Sequence, residues 1–310
     1  MVVRERIVTL LPSATEIVCA LGLSHRLVGV THECDFPSSV TRLPKVTISK
    51  IPKDLMSREI DAMVREQLNE SIALYSLNIP LLKALKPDLL VTQALCDVCA
   101  VSDAEVQKAA RELSSQPQVI NLEPMSMQDV FKTILLIGDA SQAASEARLL
   151  VSNLQSRIQT VIQRSRNIPK DSRPRVAFLE WLDPPFNAGH WTPELIEMAG
   201  GRDCLGNKHK PSRTIDWEEL ENADPDILVL GLCGFDLERS LVDIGQILPL
   251  HLPKLASLYS QGNILLFDGN AYFSRSGPRL VDSLEILAHA LFPDIHPLPS
   301  GLPAAVKIKR

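Results

Sequence analysis

The 310-residue chain is long enough for two domains of ordinary size, at roughly 100–200 residues each. Its hydrophobic content of 45% and charged content of 22% fit a globular protein that buries a core without metals or disulfides. A net charge of −5 with no Lys/Arg cluster argues against a nucleic-acid binder, and no apolar run approaches the roughly 20 residues of a membrane span.

Arg4, Glu5 and Arg6 lead directly into a short apolar run that is too brief for a signal sequence. The expectation is a cytoplasmic chain, or a periplasmic or surface one if an export segment has been removed. The six cysteines are too sparse and irregular for a disulfide framework. Residues 6–11 read as a strand. A helix follows from Pro12 with Ser13 or Thr15 as cap and Glu16 in its first turn, and it stops at Gly22. Residues 27–30 form a second strand, ending in His32, Glu33, Cys34 and Asp35. Residues 38–60 look irregular. Helices are expected over 57–68 and 79–85, then a strand over 89–92 that ends in Gln93 and the Cys96-Asp97-Val98-Cys99 segment. A helix capped near Ser102, a strand over 119–122 and a helix over 127–137 complete the first half.

Residues 141–166 carry the longest helical pattern, with Ala147, Leu150, Val151, Leu154, Ile158, Val161 and Ile162 on one stripe. At 1.5 Å per residue it would reach on the order of 35–40 Å. Residues 167–174 read as a linker. The second half repeats the alternation: strands over 175–179, 227–230 and 264–267, with helices from Thr192, Asp216 and Leu280. Lys86-Pro87-Asp88 and Asp224-Pro225-Asp226 each precede a strand, which is the best internal sign of two similar units. The basic end, 307–310, reads as a solvated tail. The predicted organisation is an α/β lobe over 1–140, a connecting helix over 141–168 and a second α/β lobe over 169–310.

Open α/β sheets take ligands at the carboxyl ends of their strands. In the second half those ends carry Trp181, Phe186, His190, Cys233-Gly234-Phe235, Tyr272, Phe273, Arg275 and Arg279, in a chain with only 5% aromatic residues. Rings with a few polar donors suit a large, flat, partly apolar ligand. Filling core is the alternative for Trp181 and Phe186. Of the adjacent Tyr272 and Phe273, one is expected to turn outward. Two arginines at a helix start run against the helix dipole and need a reason, either a ligand or surface ion pairs. In the first half, Cys34, Cys96, Cys99 and His32 could form a thiol or thiol-imidazole site for zinc or another soft metal, or could pack as small buried groups. No G-x-S-x-G, Walker or G-x-G-x-x-G motif supports catalysis, so no enzyme is expected.

Leu10-Leu11-Pro12-Ser13-Ala14-Thr15-Glu16, Cys34-Asp35-Phe36-Pro37, Leu85-Lys86-Pro87-Asp88-Leu89, residues 183–189 and residues 272–279 resemble the cobalamin-binding proteins of ABC importers, over nearly the whole chain. The wider group also binds ferric siderophores and haem. The resemblance implies two Rossmann-like α/β lobes joined by a single long helix, with the ligand held between them. It implies a corrinoid as ligand, with no cofactor required and no membrane insertion, and an ABC permease dimer as partner. Tyr272 and Arg275 would line the ligand site with Phe186, and Glu105 and Glu218 would be the acids that dock on the permease. Cys34, Gln93 and Cys96 are the near-half candidates. A cytoplasmic metal- or thiol-dependent protein using Cys34, Cys96 and Cys99 is the second reading.

Overall fold

The computed structural model describes residues 5–52, 55–69, 74–93, 101 and 103–309. Cys96, Cys99 and Ser102 lie outside the described residues. The chain divides into two compact units, one of residues 1–55, 59–124 and 128–153, the other of 56–58, 125–127 and 154–310.

The first unit runs β1 (Ile7–Thr9), α1 (Pro12–Ala20), β2 (Leu27–Val30) and β3 (Thr47–Ser49), then α2 (Ser57–Asn69, whose first two residues belong to the second unit), β4 (Tyr75–Leu77), α3 (Ile79–Leu85) and β5 (Leu89–Thr92). It continues with α4 (Asp103–Glu112), β6 (Gln118–Asn121), α5 (Met127–Ala140) and the start of α6 (Ala144–Ser165). Its main sheet is parallel in the order β2-β1-β5-β6. β1 and β5 are buried along their whole length, as expected of strands covered on both faces. The region read as irregular contains β3, which pairs antiparallel with β4 in a separate two-stranded ribbon. Its Ile48 is 54% exposed, so the segment lacks the apolar run that would announce a strand.

The second unit holds β7 (Arg175–Leu182), β8 (Pro185–Asn187), β9 (Gly189–His190), α7 (Thr192–Met198), β10 (Arg202–Asp203) and β11 (Asn207–Lys208). After these come α8 (Trp217–Asn222), β12 (Ile227–Leu230), α9 (Leu237–Gln261), β13 (Ile264–Leu266), α10 (Leu280–Leu291) and β14 (Val306–Ile308). Its sheet order is β10-β7-β12-β13-β14, parallel except for β14, with β8 folded back on β7. The end read as a solvated tail is therefore an edge strand: its backbone completes the open side of β13.

The helix read over 141–166 is α6. It starts later because Gln142 takes a positive φ of 60° after α5. Of its stripe, Ala147, Val151, Leu154, Ile158 and Val161 are buried, while Leu150 and Ile162 are half-buried. The 22-residue α6 is not the longest helix, because α9 has 25 residues. The sequence reading assigns nothing there, since Gly245, Pro249 and Pro253 interrupt the pattern. Buried Ile244, Ile247, Leu248, Leu255 and Leu258 hold α9 by tertiary packing, which outweighs poor propensity.

The Pro-Asp repeat has a geometric basis. Lys86 and Asp224, each before a proline, both adopt positive φ, at 45° and 43°. The Asp88 carboxylate accepts the Glu5 N–H (3.0 Å) and the Arg6 N–H (3.3 Å) at the foot of β1. The Asp226 carboxylate accepts the Arg175 N–H (2.7 Å) at the foot of β7. Arg6 then donates to the Leu85 carbonyl, and Arg175 to the Asp224 carbonyl. The same clamp thus joins adjacent parallel strands in both units.

Candidate functional site

In the second unit, β7, β12 and β13 are neighbours, so the loops at their carboxyl ends are neighbours too. Trp181, at the end of β7, meets the Phe235 ring edge-on at 5.1 Å, and the Arg239 guanidinium lies 3.8 Å over the Phe235 ring. After β13, the Tyr272 ring lies under the Arg279 guanidinium at 4.7 Å. Stacked cations of this kind are favourable and keep N–H donors at the ring edge. Arg275 is buried and donates through Nη2 to Asn270 Oδ1 at 2.9 Å. Asp268 accepts the Ala271 N–H at 2.8 Å. Burial raises its carboxyl, while Arg275 and Arg279 act in the opposite sense.

Phe273 takes a φ of 65°, which a bulky side chain holds only when its surroundings compel it. The compulsion is visible. Its ring sits against Phe178 (5.0 Å) and Phe267 (5.2 Å). Its N–H donates to Ser283 Oγ at 3.1 Å, and its carbonyl accepts the Trp191 indole N–H at 2.7 Å. Gly269 precedes the turn, and a Cβ there would come within 2.1 Å of the Leu232 carbonyl oxygen. The turn carrying Tyr272 and Arg275 is thus fixed by core contacts.

In the first unit the corresponding loops are polar. Thr15 Oγ1 lies 2.6 Å from Thr9 Oγ1 and 2.9 Å from Cys34 Sγ, all buried. The Thr47 hydroxyl accepts the His32 N–H at 3.0 Å and contacts His32 Nδ1 at 2.7 Å and Thr31 Oγ1 at 2.8 Å. The His32 and Tyr75 rings are 5.4 Å apart. A small pocket is lined by Thr31, His32, Glu33, Thr47 and Tyr75 together with the apolar Leu10 and Val101.

A sequence profile of the periplasmic binding proteins matches residues 7–242. The chain belongs to that family. An uncharacterized ABC transporter substrate-binding lipoprotein of Bacillus subtilis is 24% identical over 298 residues, covering 94% of this chain and 81% of the relative. A vitamin B12-binding protein of Yersinia pestis is 20% identical over 230 residues, which is 73% of this chain and 69% of the relative. A solved periplasmic heme binding protein from Pseudomonas aeruginosa superposes with a TM-score of 0.73 at 20% identity, covering 99% of this chain and 100% of that one. The expected α/β architecture of this periplasmic binding protein is borne out. No described helix is long and apolar enough to cross a membrane.

In this periplasmic binding protein Tyr272 does not turn outward: it is 8% exposed beneath Arg279, while Phe273 is at 2%. Of the two arginines before α10, Arg279 lies over the Tyr272 ring and Arg275 donates to Asn270. Phe186 and His190 are half-buried on β8 and β9. His190 lies beside the Trp191 ring at 5.3 Å, and burial lowers its pKa. Gln93 is half-buried beyond β5. Neither Ser13 nor Thr15 caps α1, because Leu11 occupies the cap and both side chains are buried within the helix, and Glu16 falls beyond its first turn. Glu105 turns one carboxylate oxygen inward to the Leu77 N–H at 3.2 Å, whereas Glu218 is exposed on the first turn of α8.

Among the described residues no three of His, Cys, Asp and Glu gather at metal-holding distance. Cys34 lies beside Thr15 and His32 beside Thr47, and the other two residues of the expected thiol-imidazole site, Cys96 and Cys99, lie outside the described residues. Among the described residues, Cys19, Cys34, Cys204 and Cys233 form no disulfide. Arg239, Thr47, Tyr75 and Asp268 were missed. Arg239 sits in a helix the sequence hides, and Thr47 in a strand with no apolar signal. Tyr75 falls between the helices read over 57–68 and 79–85, where the sequence suggests no element.

Proposed function

We propose that this protein is the substrate-binding component of an ABC uptake system and that its ligand is a corrinoid. The supporting observation is the run of ring and guanidinium side chains on three adjacent strand ends: Trp181, Phe235 with Arg239, and Tyr272 with Arg279. Apolar ring faces suit the flat body of a macrocycle, and guanidinium N–H groups suit its amide or carboxylate rim. The relatives named for vitamin B12 and heme support a ligand of this shape. In this reading the protein is a binder, works outside the cytoplasmic membrane, and delivers its ligand to a permease dimer on which Glu218 and Glu105 dock. Charged pairs of that kind orient two surfaces.

The test is calorimetric and absorbance titration of the purified chain with cobalamin, cobinamide, haem and ferric siderophores. One-to-one binding of a corrinoid is expected, with affinity falling at least about tenfold in Tyr272→Ala, a loss of about 1.4 kcal/mol. Haem or siderophore binding without corrinoid binding would keep the uptake role and replace the ligand. Unchanged corrinoid affinity in Tyr272→Ala would remove that side chain from the site.

A further inference from the structure

Oxygen atoms buried away from water need partners, and one cluster of three lacks them. Asp243 on α9 is 1% exposed. Its Oδ1 accepts the N–H of Ser57, the first residue of α2, at 3.1 Å. Its Oδ2 has no hydrogen-bond partner among the described residues. The same holds for the hydroxyls of Ser57 and of Ser240, which lies one turn before Asp243 on the same side of α9. Both serines are fully buried.

Charge points the same way. A helix amino end offers about half a positive charge and a single N–H to this carboxylate, which leaves a buried anion under-compensated. The arginines nearest in sequence are engaged elsewhere. Arg58 pairs with Asp183 at 2.7 Å, and Arg239 lies over Phe235. Three hard oxygens with one negative charge among them match an alkali cation. A calcium site asks for more carboxylates, and a soft metal for nitrogen or sulfur.

We propose that Asp243, Ser57 and Ser240 bind one monovalent cation, with sodium preferred, and that this ion fastens Ser57 to α9 within the second unit. The bound ion stabilises the fold by mass action, because the unfolded chain does not hold the three oxygens together. The full chain would be melted by circular dichroism in sodium, potassium or choline chloride at equal concentration. The expected result is a melting temperature higher by roughly 4 °C in sodium than in choline. That difference disappears in Asp243→Asn and shrinks in Ser240→Ala. Equal melting in all three salts overturns the proposal, and is what a single ordered water in the same place would give. A sodium effect undiminished in both variants overturns it too. If Asp243→Asn does not fold, Ser240→Ala, which removes one neutral donor, decides by the same criterion.

Discussion

The strand ends of the two units are built from different chemistry on the same frame. In the first unit, hydroxyls dominate: Thr9, Thr15, Thr31 and Thr47 bond one another, Cys34 and His32. In the second, rings and guanidinium groups dominate, and a turn with a left-handed phenylalanine is wedged into the core behind them. The frame is shared down to the Asp clamp at the foot of the first strand. A parallel sheet fixes where loops emerge and leaves their content free. One edge can be preorganised by many short polar bonds, the other by a few large packed side chains.

The comparison can be broken at its packed side first. Phe273→Ala should cost about 3–5 kcal/mol, because it empties the space between Phe178 and Phe267. Urea denaturation measures it, and a cost below about 1 kcal/mol would mean that the turn holds itself without its ring. On the polar side the effect should be smaller. Thr15→Val removes the hydroxyl shared by Thr9 and Cys34 and should cost about 1–2 kcal/mol in the same measurement. A cost equal to that of Phe273→Ala would erase the distinction between the two edges.

The smallest effect concerns pH. Asp203, at the edge of the second sheet, has its carboxyl pushed up to about 6, chiefly by burial. Its Oδ2 accepts the Gly206 N–H at 2.9 Å, while Oδ1 is buried with no partner among the described residues. A folded-state pKa above the unfolded one means that ionisation works against the fold. The favourable contribution is present at low pH and is lost as pH rises from about 4 through about 6. Asp203→Asn lacks that loss, so its melting temperature relative to the parent should improve between about pH 4 and about pH 7. A difference that stays constant with pH would show that the carboxyl titrates alike in both states.

Much of the frame was legible because it rests on local signals. Apolar runs gave β1, β2, β5, β12 and β13. Pro at the first turn gave α7, and Asp216, whose side chain accepts the Glu219 N–H, gave α8; α1 begins at Pro12 as read, though without the cap and first-turn acid it was read from. The rings of the second unit were also legible as a concentration of a rare residue type. Their orientation was not. Whether Tyr272 faces solvent depends on Arg279 seven residues away and on Trp191 holding the neighbouring carbonyl from another element. Helix α9 was hidden because glycine and prolines mask a stripe that only the sheet beneath it rewards.

By itself, then, the amino-acid order determined the alternation of strands and helices and the Pro-Asp turn before one strand of each unit, since periodicity, caps and fixed proline φ act within a few residues. Tertiary structure alone decided that the basic C-terminus is a strand, that Thr15 bonds a cysteine instead of capping a helix, and that Ser57 meets Asp243. Those outcomes depend on groups as many as 186 residues apart in the chain. Such contacts form only when burial brings distant segments together, and no local preference encodes them.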